Sequence, residues 1–188
     1  MTTIGGLEVK LQPTSQTQTQ RIQTGIEKRW RERGEPVDPP TYTATTATGE
    51  TETYTHDETS LTTDKDRTAW AVYQDALARM TAEINLRVTQ YLLLQGVVGC
   101  EPTPEWAEEQ TWYGVEAPED PRERRMLYLE TEILRTPEDI TTAVREIMKL
   151  SYSGASQEAI DAIDRLFRRT VERAADTDDS VAEGTVEL

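Results

Sequence analysis

The stretch DKDRTAWAVYQDALARMTAEINLRVTQYLLLQ, residues 64–95, contains neither Pro nor Gly and predicts one long helix. Its apolar side chains recur every three or four residues, interrupted only where Arg87 takes an apolar position; they are Trp70, Tyr73, Leu77, Met80, Ile84, Tyr91 and Leu94. A seam of this kind must be covered by another element. Five more apolar residues, mostly near the C-terminal end, widen it: Val72, Leu86, Val88, Leu92 and Leu93. We therefore expect the central rod of a helical domain rather than a free coiled coil.

Capping signals bound this helix and those that follow it. Thr63 with Asp66 forms a capping-box pattern before the long helix, and Gly96 is placed to end it. Three later helices each begin with a capping side chain followed by Pro, at Thr103-Pro104, Asp120-Pro121 and Thr136-Pro137. The predicted helices span about 104–113, 121–135, 137–150 and 157–175, and residues 176–188 are expected to be a disordered acidic tail.

The N-terminal part predicts a small β component. Residues 4–13 alternate apolar and charged side chains, which is typical of a strand, and the Gly5-Gly6 pair precedes that alternation. A basic helix follows over about 15–33. Residues 41–56 form a Thr-rich hairpin pattern with Gly49 in the turn. The hairpin either joins the sheet of the first strand or projects as an arm that orders on a partner.

These elements predict a mainly α protein with a minor α+β character. It would be a helical domain around one long central helix, with a short N-terminal strand and a Thr-rich β-hairpin. The predicted organisation is an N-terminal arm over residues 1–60, a helical domain over 61–175 and the tail over 176–188.

The composition restricts the classes of partner. The 188 residues include 35 Asp and Glu against 20 Lys and Arg, a net charge of -15. Such a surface repels phosphates and anionic lipid, so neither a nucleic acid nor a membrane is expected as a partner. No apolar run is long enough to span a bilayer, and we expect a soluble cytoplasmic protein. Residues 1–34 are an exception to the acidic balance, with six basic and three acidic residues.

The sequence offers little for catalysis. His56 is the single histidine and Cys100 the single cysteine, so zinc motifs and disulfides within one chain are not expected. Gly5-Gly6 lacks the spacing and the Lys of a phosphate-binding loop. We predict no catalytic, metal-binding or cofactor-binding residue and no enzymatic activity.

Aromatic side chains with polar tips are typical of half-buried interfaces. Trp70 and Trp112 are expected in the core, with the Trp70 end of the long helix still available to a partner, whereas Trp30 is left open between core and interface. The residues predicted to contact a partner are Ile22, Ile26, Trp30, Tyr42, Tyr54 and Trp70.

The order of several motifs resembles small proteins of phage tail modules. The resemblance covers about residues 4–150 and rests on structural motifs: Ile4-Gly5-Gly6-Leu7, Pro39-Pro40-Thr41-Tyr42, His56-Asp57-Glu58-Thr59, the Trp70 helix, Leu127-Tyr128-x-Glu130-Thr131-Glu132 and Thr136-Pro137-Glu138-Asp139. It implies a tail assembly chaperone of a long-tailed phage, a helical acidic protein that keeps the tape-measure protein soluble in the host cytoplasm. Because the N-terminal strand and hairpin are unexpected in that family, a virion subunit that interlocks with its neighbours through the N-terminal arm is the alternative. Expected partners are phage tail or virion proteins, with self-association left open.

Overall fold

The structure is a computed structural model that describes residues 1–46 and 48–152. Its elements in chain order are β1 (Thr2–Ile4), β2 (Leu7–Leu11), α1 (Gln16–Glu32), β3 (Thr41–Thr45), β4 (Thr51–Thr55), α2 (Asp64–Gly96), β5 (Val97–Val98), α3 (Pro104–Trp112), α4 (Pro121–Tyr128), a π-helical segment (Leu129–Ile133) and α5 (Pro137–Ser151). The mainly helical fold with a long central helix, short N-terminal strands and a Thr-rich hairpin is confirmed. The predicted helix over 157–175 and tail over 176–188 lie outside the described residues.

The long helix α2 begins as predicted. Thr63 Oγ1 accepts a hydrogen bond from the Asp66 amide at 3.1 Å, and Asp66 Oδ2 accepts one from the Thr63 amide at 3.0 Å. Along the helix, Leu92 and Leu93 are buried, whereas Val72 and Leu86 are each 54% exposed. The predicted widening of the buried apolar face of α2 is therefore found only near its C-terminal end.

Gly96 has a different role from the predicted one. It is the last residue of α2 and does not have a positive φ, so it is not a left-handed helix terminator. A Cβ atom built at Gly96 would lie 2.6 Å from Ile147 Cδ1 in α5. The glycine is required because α5 packs too closely for any side chain at this position.

Contacts divide the chain into two compact units. Among the described residues, one unit holds 1–19 together with 87–152, and the other holds the described part of 20–86. Helices α1 and α2 each supply residues to both units. The predicted domain boundary near residue 60 falls between the hairpin and α2, yet the hairpin and the first part of α2 belong to the same unit. The observed division therefore does not follow that boundary.

The first unit contains a three-stranded antiparallel sheet in the order β1-β2-β5. The predicted single strand over 4–13 is instead a hairpin, because Gly5 and Gly6 form the two-residue turn between β1 and β2 with φ of 56° and 82°. Two positive φ values are the requirement of a type I′ turn, which glycine meets without strain. Helix α5 packs against β1 and β2, and Ile4 and Val9 are buried in this part of the core.

The predicted helix over 121–135 is also two elements. Helix α4 gives way to the π-helical segment, in which the Leu134 amide donates to the Leu129 carbonyl at 2.7 Å. This hydrogen bond joins residues five apart, so it brings Leu129 and Leu134 to the same side. Both side chains are fully buried.

The second unit contains the hairpin β3–β4 and a small core. The core side chains come from α1, α2 and the connection after α1; they are Ile26, Trp30, Ala76 and Met80, with Ile22, Val37, Leu77 and Ile84 packed around them. The hairpin is a two-stranded sheet of its own and does not join the N-terminal sheet.

Candidate protein-binding surface

The predicted partner-binding residues of α1 are largely buried in their own unit. Ile26 is 1% and Trp30 6% exposed, and Ile22 is partly buried against the same core. The Trp30 indole donates to Glu83 Oε2 at 2.7 Å, and the Arg79 guanidinium lies 5.5 Å from the centre of the ring. Trp30, which the sequence left open between core and interface, is therefore a core residue, and Ile26 and Trp30 are not accessible to a partner as the chain stands.

The electrostatics around Trp30 explain this burial. Its hydrogen bond is the main reason that the pKa of Glu83 is lower than usual, and Arg29, whose guanidinium lies 3.2 Å from Glu83 Oε1, lowers it further. A buried indole N–H needs an acceptor, and a charged carboxylate is a strong one.

The remaining predicted residues lie nearer the surface. Tyr42 and Tyr54 face each other across the hairpin with ring centres 5.6 Å apart, and each is nearly 40% exposed. Trp70 is half-buried beside Tyr73, with ring centres 5.4 Å apart. The structure thus brings the tyrosines together on the hairpin but does not gather all six residues into one surface.

His56 forms a contact that the sequence did not predict. Its ring is buried, with Nδ1 3.2 Å from Ser60 Oγ and Nε2 3.6 Å from Asp66 Oδ1. The order Ser60, His56, Asp66 resembles a catalytic triad, but Ser60 Oγ donates to the Asp57 carbonyl at 3.0 Å and accepts from the Asp57 amide at 2.8 Å. These two bonds make the Ser60 hydroxyl part of the local turn over residues 57–60. The group instead ties the end of the hairpin to the first turn of α2.

Two further findings concern the part of the chain that the structure describes. It contains no group of three or more His, Cys, Asp or Glu side chains arranged to hold a metal ion. None of its helices combines the length and apolar character needed to cross a membrane.

Within residues 1–46 and 48–152, the most exposed aromatic group lies at the end of α3. Trp112 is 81%, Tyr113 60% and Val115 45% exposed, and we call these three residues the aromatic turn. The expectation that Trp112 lies in the core is wrong. Residues six apart on a helix point in clearly different directions, and it is Trp106 that occupies the core side of α3.

Trp106 has the contacts of a core residue. It is 6% exposed and lies edge-on to Tyr128 with ring centres 5.3 Å apart. Its indole donates to Glu132 Oε1 at 3.2 Å. Because Trp106 faces the core, Trp112 on a different face of α3 is exposed to solvent.

The backbone of the aromatic turn is held by hydrogen bonds. The Gly114 amide donates to the Thr111 carbonyl and the Val115 amide to the Gln110 carbonyl, both at 3.0 Å. Together with the φ of 78° at Gly114, this is a Schellman motif, and it ends α3 at Trp112, close to the predicted end near residue 113. The exposure of the aromatic residues therefore belongs to an ordered turn.

Arg124 fixes the loop that follows. Its Nε donates to the Pro118 carbonyl at 2.8 Å and its guanidinium also reaches the Glu119 carbonyl at 3.4 Å. The Arg side chain thereby holds residues 118–119 beside α4.

The sequence on either side of the aromatic turn is acidic. Residues 101–120 include seven Asp or Glu and no Lys or Arg. Glu108 and Glu109 are exposed one helical turn before the aromatic pair, and Glu109 Oε1 accepts from the Tyr113 hydroxyl at 3.3 Å. The site is therefore an ordered aromatic surface with negative charge at its rim.

Comparisons with models of protein families, with curated proteins and with solved structures give no match to this chain.

Proposed function

We propose that this chain is a non-enzymatic phage assembly protein, and that it acts as a tail assembly chaperone. In this role it would bind the tape-measure protein and tail subunits in the host cytoplasm. The phage setting is supported by the sequence motifs described above. The binding role is supported by one observation, the exposed aromatic turn of Trp112, Tyr113 and Val115.

An exposed Trp and Tyr on an ordered turn are well suited to binding. Contiguous exposed apolar groups often mark contact sites, and Trp and Tyr supply much of the binding energy of protein interfaces. Covering the exposed part of Trp112 alone would contribute about 4 kcal/mol before the entropy cost of association, for a side chain of roughly 200 Å² at about 25 cal/mol per Å². Such a surface can hold the apolar face of a client segment.

The charge supports the same role. A chaperone must keep an aggregation-prone client in solution, and a net charge of -15 favours solubility of the complex through mutual repulsion. The aromatic turn would bind while the remaining acidic surface keeps complexes apart.

The hairpin favours a second candidate function, a structural subunit of the virion. Nine of the ten residues in β3 and β4 are exposed, and the hairpin forms a separate two-stranded sheet. Isolated hairpins are marginally stable and have strand edges that can pair with another chain. In a virion, this hairpin would interlock with a neighbouring subunit.

A stop codon early in the coding sequence tests the proposed function in the phage that carries it. The chaperone role predicts capsids without tails in electron micrographs and tape-measure protein in the insoluble fraction of the lysate. Expression of the chain from a plasmid should restore both. Normal tails and soluble tape-measure protein without the chain would refute the proposal.

A further inference from the structure

We propose that the aromatic turn binds a segment of a partner protein in which Lys or Arg side chains flank apolar ones. This inference rests on the proposed function and adds the chemistry of the client segment. It is carried by the exposure of the aromatic residues together with the exposed acidic side chains that lie next to them in the sequence, Glu108, Glu109 and Glu116.

The sign of the charge selects the partner. Residues 101–120 contain seven acidic residues and no basic one. Glu101 is paired with Arg125 at 3.1 Å, so the negative charge nearest the aromatic turn comes from Glu108, Glu109 and Glu116, which are all exposed. Glu108 and Glu109 precede Trp112 and Tyr113 by four residues, the spacing at which helical side chains are neighbours. Glu116 follows Val115 directly and is also exposed. A basic segment gains attraction at this rim, whereas an acidic one is repelled.

The aromatic rings add to this preference. Cations bind over the faces of Trp and Tyr, and Arg and Lys carry apolar stems that cover aromatic surface. Trp112 and Tyr113 lie edge-to-face with ring centres 5.1 Å apart, so they present two differently oriented rings. A partner segment could therefore place an apolar side chain against one ring and a Lys or Arg cation over the other.

The turn is prepared for binding before the partner arrives. The Schellman hydrogen bonds fix the backbone at Gly114 and Val115, and the bond from Tyr113 to Glu109 orients one of the two rings. Less conformational entropy is then lost on association, which strengthens binding.

Peptide binding to the full-length chain tests the inference. The probe is a fluorescently labelled amphipathic peptide of Leu and Lys, measured by fluorescence anisotropy, and the matched peptide has Glu at every Lys position. The Lys peptide should bind the wild-type chain, and Trp112→Ala should weaken that binding by about tenfold or more. Val72→Ala, which truncates an apolar residue on α2 that is 54% exposed, should leave the affinity unchanged.

A charge variant provides a second readout that keeps the aromatic turn intact. The double substitution Glu108→Gln and Glu109→Gln should lower the affinity of the chain for the Lys peptide, because two negative charges beside the aromatic turn are lost. The same loss should reduce the salt dependence of binding. Glu58→Gln, an exposed acid in the other unit, should change neither. Circular dichroism of each variant confirms that the fold is retained.

Three results would overturn the inference: no binding of the Lys peptide, equal binding of the Glu peptide, or equal affinity of the Trp112→Ala chain. The proposed function fails separately, if the stop-codon phage assembles normal tails. A stop-codon defect that Trp112→Ala and the double Gln variant both rescue fully would refute the aromatic turn as the client site while leaving the chaperone role standing.

Discussion

Replacing Gly96 with Ala adds one methyl group where α2 meets α5. The new Cβ would lie 2.6 Å from Ile147 Cδ1 and 2.7 Å from both Cγ1 and Cγ2. Carbon atoms in contact prefer about 3.5–4.0 Å, so each of the three pairs must separate by about 1 Å. Ile147 is fully buried, so any movement of its side chain must take place within the packed interior.

The expected cost follows from two opposing terms. Overpacking of a dense core costs about 1–3 kcal/mol, whereas Ala in place of Gly in a helix stabilises by about 1 kcal/mol. Because the overlap here is severe and involves three atoms, we expect Gly96→Ala to lower the free energy of unfolding by about 1–2 kcal/mol. Urea unfolding followed by far-ultraviolet circular dichroism measures this directly.

Gly25 provides the matched control. It lies inside α1, and a Cβ built there meets nothing within 4 Å. The same substitution at Gly25 should therefore stabilise the chain by about 0.5–1 kcal/mol. The same Gly→Ala substitution is therefore expected to destabilise the chain at residue 96 and to stabilise it at residue 25.

A double-mutant cycle identifies the contact responsible. Ile147→Ala deletes all three overlapping atoms and should itself cost about 2–5 kcal/mol. In that background Gly96→Ala should become neutral or stabilising, because the clash is gone. The reasoning is refuted if Gly96→Ala stabilises the wild-type chain, or if its cost is the same with Ala at 147.

Three further predictions concern individual contacts. Trp106→Ala should lower the free energy of unfolding by about 3–5 kcal/mol, whereas Trp112→Ala on the same helix should change it by no more than about 0.5 kcal/mol. Equal costs in urea unfolding would contradict the burial of Trp106 and the exposure of Trp112. Trp30→Phe removes the main cause of the low pKa of Glu83, so that pKa should rise towards its usual value in an NMR titration. A carboxyl with a lowered pKa stabilises the fold above its unfolded pKa and loses this effect as the pH falls through the folded pKa, so the wild-type advantage over Trp30→Phe should shrink in acid. Arg125→Met removes the donors to the carbonyl oxygens of Leu94 in α2 and Val97 in β5, which lie 2.6 and 2.8 Å away, and should destabilise by about 2–4 kcal/mol in the same unfolding assay.

Local chemistry made the helix starts predictable. A capping box depends only on two residues three positions apart, so the sequence alone was enough to predict the one formed by Thr63 and Asp66. Thr136 repeats the arrangement at α5, where its Oγ1 accepts from the Asp139 amide at 3.2 Å. The same holds for Gly114, since its positive φ is required by the turn itself.

Tertiary packing decided the features that the sequence did not show. Gly96 lies where a helix terminator is expected, yet the approach of Ile147 is its actual reason, and no local pattern indicates that contact. Trp106 and Trp112 are chemically alike, and only the position of α4 and the π-helical segment determines which one is buried. The hairpin at Gly5-Gly6 could have been predicted from the sequence, because a glycine pair is typical of a two-residue turn. The alternating pattern of residues 4–13 led instead to the prediction of a single strand.

Virion composition tests the central claim most directly. Under the proposed function the gene belongs to a phage, and particles purified from that phage would be analysed by quantitative mass spectrometry, alongside the lysate of the infected cells. A tail assembly chaperone should be abundant in the lysate and absent from the particles, because it leaves as tail subunits polymerise around the tape-measure protein. Many copies of this chain in each particle would contradict the chaperone account and favour the virion subunit.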